Sequence, residues 1–427
     1  MRLQKLIFQN IFWRGLYYLS ALVLNIVISR YLKAESSGWM YYLINNLSLL
    51  LLVTGISLES GATYYTSKNI TNSRAIAAFC FFWAMTATII SALCLTLFPN
   101  FFSGHVDLSK EYFFASVAYV LGFLLINYFN ALFFARGDFF IPNFILLASN
   151  LIIISSTLLF GKKELFAGNF IVIYFFSFLL QGLLLALIYF LVSERTADSL
   201  SFSEVKSISK YSLIALSANI IFFLVYRVDY WFVKMYCSKH DLGNYIQVSK
   251  LGQVFLLVPT MIATIIFPNT ASGIKKDIEN DLKALSRFLF ATYFALIIII
   301  TLFGKTIFSI VYGPSFDEMY KPFILLSPGI LSLSTQALLS AYFAGKNMLS
   351  VNIKGALIAL VIIAFCDFWL IPSFGINAAA AISSAGYIFY MLYSILVFKN
   401  ETNSNWSDFF FLKRADLTRI TGIFKAE

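Results

Sequence analysis

Twelve apolar runs follow one another along the chain, near residues 8–31, 40–66, 75–98, 112–135, 142–160, 168–192, 211–233, 245–271, 286–311, 321–344, 350–371 and 376–398, separated by charged or Gly/Asn/Pro-rich breaks. A helix of about 20 apolar residues crosses the roughly 30 Å hydrocarbon core of a bilayer. In that solvent the backbone must satisfy itself, which a helix does residue by residue. The expected fold class is therefore an all-α polytopic membrane protein of about 12 transmembrane helices. Composition agrees: 60% of the residues are hydrophobic and 12% charged, against roughly 45–50% apolar in soluble domains. The 47 Phe and 24 Tyr suit lipid-facing surfaces and interfacial belts. The N-terminal run begins like a signal sequence, but it is longer than an h-region and no small-residue cleavage site ends it, so a retained span is expected.

Lys and Arg decide orientation. With the N-terminus inside, the inner segments hold 20 of them and the outer segments 9, Arg227 and Lys250 lying within spans. Both termini are expected to be cytoplasmic. The net charge of +10 sits in short connectors rather than on a folded basic face, which argues for topology and against nucleic acid.

The chain also repeats itself. "YLKAESSGWMYYLINN" after span 1 resembles "FVKMYCSKHDLGNYIQVSK" after span 7, and "FFARGDFFIPNF" after span 4 resembles "YFAGKNMLSVNI" after span 10. Gly38 aligns with Gly243 and Phe134 with Phe343. Six spans per repeat start both halves on the same side, so a pseudo-two-fold along the membrane normal is expected. The domains would be a six-helix lobe at 1–198, a second at 199–400 enclosing a central cavity with the first, and a cytoplasmic amphipathic tail at 401–427.

Ionisable groups inside spans are costly and mark partners, wet cavities or function. Arg14 in span 1 and Glu59 in span 2 lie at matching depth near the inner side, as an ion pair or a site for a charged ligand. Near the outer side, Arg227 and Asp229 in "NIIFFLVYRVDYWFVKMY" match the depth of Lys250 in span 8. Residues two apart on a helix point about 200° apart, so Arg227 and Asp229 cannot serve one partner. Asp229 is expected to neutralise Lys250, leaving Arg227 to face the cavity; Gln247, Ser249 and Gln253 would give helix 8 a wet side. The competing reading is that Arg227 and Lys250 reach the outer headgroups. Asp367, beside Trp369 in "AFCDFWLIP", is expected at the outer interface. Pro259, Pro268 and Pro328 mark bends, either as moving parts or as static kinks. Trp406, Phe410, Leu417, Ile420 and Phe424 form one apolar face of the tail, which reads as a helix lying on the anionic leaflet.

Four scattered cysteines without a C-x-x-C pair, and two His in connectors, give no disulfide or metal expectation. No P-loop sequence is present, so energy is expected from a gradient or from downhill flow. A lipid-linked sugar polymerase or ligase would carry catalytic groups in a large outer loop, and the connectors here are short. No catalytic residues are expected.

The ordered set "GWMYYLINNLSLLL", "YRVDYWFVKMYCSKHDLGNYIQVSKLGQVFLLVPTMIATIIFPNTASG", "IVYGPSFDEMYKPFILLSPGILSL" and "AYFAGKNMLSVNIKGALIALVIIAFCDFWLIPSFGINAAAAISSAGY" resembles Wzx-type polysaccharide flippases of the multidrug/oligosaccharidyl-lipid/polysaccharide exporter superfamily. The resemblance covers nearly the whole chain. It implies a MATE-like arrangement in the bacterial inner membrane and movement of an undecaprenyl-diphosphate-linked oligosaccharide, an O-antigen or capsule repeat unit, to the periplasmic leaflet by alternating access. Arg14, Arg227 and Lys250 are the cations that would meet the diphosphate or acidic sugars. No cofactor is implied; Glu59 and Asp229 leave open coupling to a proton or sodium gradient. Partners would be the lipid-linked substrate, membrane lipids, a polysaccharide polymerase and a chain-length regulator. A cation-coupled multidrug exporter and a peptidoglycan-precursor flippase of the same superfamily stay as alternatives.

Overall fold

The computed structural model describes residues 3–68, 72–103, 109–193, 199–272, 277–402 and 404–424. The helices are α1 (Leu3–Gly55), α2 (Leu58–Ser67), α3 (Ser73–Leu97), α4 (Pro99–Ser103), α5 (Lys110–Ala135), α6 (Phe140–Phe160), α7 (Glu164–Val192), α8 (Phe202–Tyr236), α9 (Lys239–Phe255), α10 (Leu257–Ser272), α11 (Ile278–Tyr312), α12 (Tyr320–Gly345), α13 (Leu349–Thr402) and α14 (Arg414–Phe424), with 3-10 turns at Pro314–Met319 and Trp406–Phe409. Among the described residues, 10 helical stretches are long and apolar enough to cross a membrane. Two of them serve twice. α1 and α13, of 53 and 54 residues, turn sharply at Lys33 (φ 61°) and Gly375 (φ 59°), and each is about 80 Å of helix at 1.5 Å per residue. The twelve crossings that result match the twelve apolar runs.

The chain forms two compact units, one of residues 1–31 and 40–220, the other of 32–39 and 221–427. Residues 199–220 thus pack with the first unit rather than with the lobe expected from sequence, and 32–39 with the second. Close backbone approaches explain both. A Cβ on Gly61 of α2 would lie 2.4 Å from Ser212 Oγ and 2.8 Å from the Ile208 carbonyl on α8, while Tyr64 stacks on Tyr211 at 4.7 Å. A Cβ on Gly243 would lie 2.0 Å from the Ala34 carbonyl, and one on Gly38 2.6 Å from Gly243 Cα. The two glycines aligned by the sequence repeat therefore pack against each other within the second unit.

Within each unit a glycine sits in the most extensively packed helix pair, at the same place in the repeat. In the first, Gly122 of α5 faces α7, where a Cβ would meet the Phe178 and Leu179 backbone at 2.3 Å. In the second, Gly329 of α12 faces the later part of α13, with Ser384 Cα 2.7 Å from an added Cβ. Without a hydrophobic drive between helices in lipid, contact of this kind is what holds a pair together.

The second span of each repeat is broken. Between α1 and α2, Ile56 and Ser57 both take φ 51°, a region a β-branched residue avoids. The freed carbonyls are caught by side chains: Tyr128 Oη donates to Gly55 at 2.9 Å and Trp83 Nε1 to Thr54 at 3.2 Å. Between α9 and α10 the cause is Pro259, whose ring clashes with the carbonyl four residues back; that carbonyl, of Phe255, accepts from Tyr293 Oη at 2.5 Å. Pro268 and Pro328 lie inside continuous helices. Because an orphaned backbone carbonyl costs about 1–3 kcal/mol, Tyr128→Phe is expected to lower the melting temperature of the detergent-purified protein. An unchanged melting curve would show that the break needs no hydroxyl.

Candidate functional site

Helix α8 passes through the second unit with Arg227 and Asp229 on opposite sides, as their spacing requires. Arg227 turns to α9. Its Nη2 donates to Gln253 Oε1 at 2.9 Å and its Nη1 to Tyr230 Oη at 2.6 Å, with the guanidinium 5.1 Å from the Tyr230 ring centre. Both partners are neutral. Lys250 stands one turn before Gln253, about 60° away around α9, and interacts electrostatically with Arg227. The fold therefore brings two of the three expected basic residues within electrostatic range of each other.

Asp229, 1% exposed, faces the other way. Its Oδ2 accepts from Tyr245 Oη and, at 3.0 Å, from Ser383 Oγ. The expected pair with Lys250 is thus replaced by two hydroxyls. Tyr245 and Lys250 are five residues apart, about 140° around the helix, so the face of α9 that meets Asp229 cannot also present Lys250.

Sequence reasoning missed Asp367. It is fully buried, whereas Trp369, two residues on, is 63% exposed; the tryptophan marks the lipid side and the aspartate points away from it. Among the described residues neither Asp367 oxygen has a hydrogen-bond partner, nor does Asp229 Oδ1, and the two carboxylates interact electrostatically with each other and with Tyr245. Two anions cannot be buried side by side bare. At least one of the two needs a proton or a compensating charge to be buried there. Period reading could have found Asp367, since helix geometry alone separates it from Trp369.

The acidic and cationic sides touch through two rings. Tyr230 and Tyr245 meet edge to face at 6.0 Å, one accepting from Arg227 and the other donating to Asp229.

In the first unit the expected Arg14–Glu59 pair does not form. Arg14 Nε donates to Tyr18 Oη, one turn along its own helix, at 3.2 Å and lies 5.7 Å from the Phe134 ring centre. Glu59 lies in the first turn of α2, after the left-handed residues Ile56 and Ser57 have redirected the chain. No ion pair within 4 Å involves either residue among the described residues.

Residues 166–321 match the family described as polysaccharide biosynthesis protein. The matched stretch contains Arg227, Asp229, Tyr245 and Lys250. No curated protein matches the chain significantly. Among solved structures, the lipid II flippase MurJ in an inward closed conformation is similar with a TM-score of 0.73 at 13% identity, over 97% of this chain and 92% of that one. An inward-facing multidrug resistance MATE family transporter of the MOP superfamily gives 0.68 at 12%, over 96% of each chain. A MOP superfamily transporter from Pyrococcus furiosus gives 0.63 at 14%, over 99% of this chain and 97% of that one. The chain has a MATE-like fold. The architecture that the sequence resemblance implied is therefore present, and this fold is one used by membrane flippases and transporters.

Proposed function

We propose that this protein is a flippase carrying an undecaprenyl-diphosphate-linked oligosaccharide from the cytoplasmic to the periplasmic leaflet of the bacterial inner membrane by alternating access, with both termini in the cytoplasm. The observation that carries the reading is Arg227, whose guanidinium is held inside a spanning segment by a phenol and an amide rather than by a carboxylate. Neutral partners fix its position and leave its charge for an anion. With Lys250 beside it, the pair suits a diphosphate, which spreads charge over several oxygens. The match to a polysaccharide biosynthesis family supports a glycan on that diphosphate, and a polymerase with its chain-length regulator would consume the product.

Asp229 and Asp367 supply the coupling. A proton or sodium ion on this pair removes one of its two negative charges, and Tyr245, which donates to Asp229 and packs on Tyr230, ties the state of the carboxylates to the placement of Arg227. A multidrug exporter would also use such a coupling pair, but its cationic cargo has no reason to meet Arg227 and Lys250. Arg14, resting over Phe134, takes a secondary part in attracting the anion on the cytoplasmic side.

The test is surface glycan in a deletion strain complemented with wild type, Arg227→Ala or Arg227→Lys, with protein level checked by immunoblot. Both variants are expected to insert normally, to lose surface polysaccharide and to accumulate the lipid-linked precursor. Normal display by Arg227→Ala would remove Arg227 from the site. A deletion that leaves surface glycan untouched would remove the function.

A further inference from the structure

The C-terminal segment is folded the wrong way round for water. Two of its charged residues, Asp416 and Arg419, turn inward onto α11: Arg287, buried there, forms a two-pronged pair with Asp416 (Nε to Oδ2 2.7 Å, Nη2 to Oδ1 2.5 Å) and donates through Nη1 to the Asp408 carbonyl at 2.6 Å. Arg419 donates to Asp281 at 2.6 Å and to Asp277 at 2.9 Å. Burial pushes the Asp416 carboxyl up, yet the bonds from Arg287 and the Lys413 backbone hold it below the usual carboxylate range, so the latch stays ionised. Phe409 and Ile420 are buried beside it.

Large apolar side chains are left outside, with cations among them. Phe411 is 69% exposed, Leu417 53% and Leu412 46%, interleaved with exposed Lys413 and Arg414. The five-residue face expected from sequence is split: Phe410 and Ile420 turn to α11, Trp406 and Leu417 turn out, and the Phe424 side chain lies outside the described residues. The outward patch continues into the lipid-facing wall, because Phe410 meets Phe290 at 5.2 Å and Phe290 stacks on half-exposed Phe294 at 6.3 Å.

We propose that residues 406–417 form a built membrane-surface anchor, strapped to α11 by the Arg287–Asp416 and Arg419–Asp281 pairs and inserting Trp406, Phe411, Leu412 and Leu417 among anionic lipid headgroups. Arg414 meets the lipid phosphates, joined by Lys413, whose ammonium also pairs with Asp408 at 3.2 Å. Apolar side chains at the depth of the headgroups, with cations between them, are the chemistry of an interfacial segment. A strap of buried ion pairs fixes its height, which a free amphipathic helix cannot do.

The test uses full-length Leu417→Cys, labelled with an environment-sensitive fluorophore against a wild-type control, since no native cysteine is fully exposed. The protein is placed in nanodiscs of phosphatidylcholine with or without phosphatidylglycerol. Quenching by brominated lipid and shielding from aqueous iodide are expected, stronger with phosphatidylglycerol and weakened by Lys413→Glu with Arg414→Glu. Each surface cation is worth on the order of a fivefold change in binding, so the double reversal should release the label many-fold. A label open to iodide in both lipids overturns the proposal. One shielded from iodide and brominated lipid alike also overturns it, because a protein then covers the patch.

Discussion

Asp367→Asn is expected to leave the protein folded and inserted but to lower surface polysaccharide at least about tenfold, with lipid-linked precursor accumulating in the cytoplasmic leaflet. The substitution keeps shape and removes the titratable proton. At a fully buried position with both oxygens unpartnered among the described residues, an amide adds no charge to desolvate, so stability should hold or rise slightly. What it cannot do is alternate between a neutral and a charged state. Tyr245→Phe should act in the same direction more weakly, because it deletes the donor to Asp229 without touching either carboxylate. Immunoblot, glycan display and precursor analysis in the deletion strain decide the matter. Normal display by Asp367→Asn would make the carboxylate pair a structural feature, and the coupling reading would fall while the Arg227 site stood.

Gly329→Leu is expected to abolish the folded protein. An added Cβ would sit 2.7 Å from Ser384 Cα and 3.0 Å from the Tyr387 ring, so the obstruction is backbone, which has nowhere to go. Overpacking typically costs about 1–3 kcal/mol, and here three further heavy atoms follow the Cβ. Gly122→Leu should fail in the same way in the first unit, against the Phe178 and Leu179 backbone. Size-exclusion profiles of detergent-solubilised fluorescent fusions report it, with Gly15→Leu as control since nothing lies within 4 Å of an added Cβ there. A monodisperse peak for Gly329→Leu would mean that the α12–α13 contact can open by more than an ångström at little cost.

The spans, their number and the opposed directions of Arg227 and Asp229 were legible in the sequence, because each depends on local geometry: helix rise against bilayer thickness, and 100° per residue around an axis. The glycine repeat was legible too, as Gly38 and Gly243 align, although the alignment said nothing of their contact. The pairings were not legible. Matching depth suggested Arg14 with Glu59 and Asp229 with Lys250, but depth is one coordinate of three. The missing rotation was set by the break at Ile56–Ser57 in one case and by the 140° between Tyr245 and Lys250 in the other.

The tail shows the same division. Its amphipathic composition was plain, yet which face turns to protein was decided by Arg287, more than a hundred residues earlier, whose buried charge required Asp416 and so drew the polar side inward. By itself the sequence determined a twelve-span helical membrane protein with two like halves, since apolar length and period are properties of a single segment. Only the tertiary structure decided which charges share a site, because a buried charge is defined by what surrounds it and its neighbours come from distant parts of the chain.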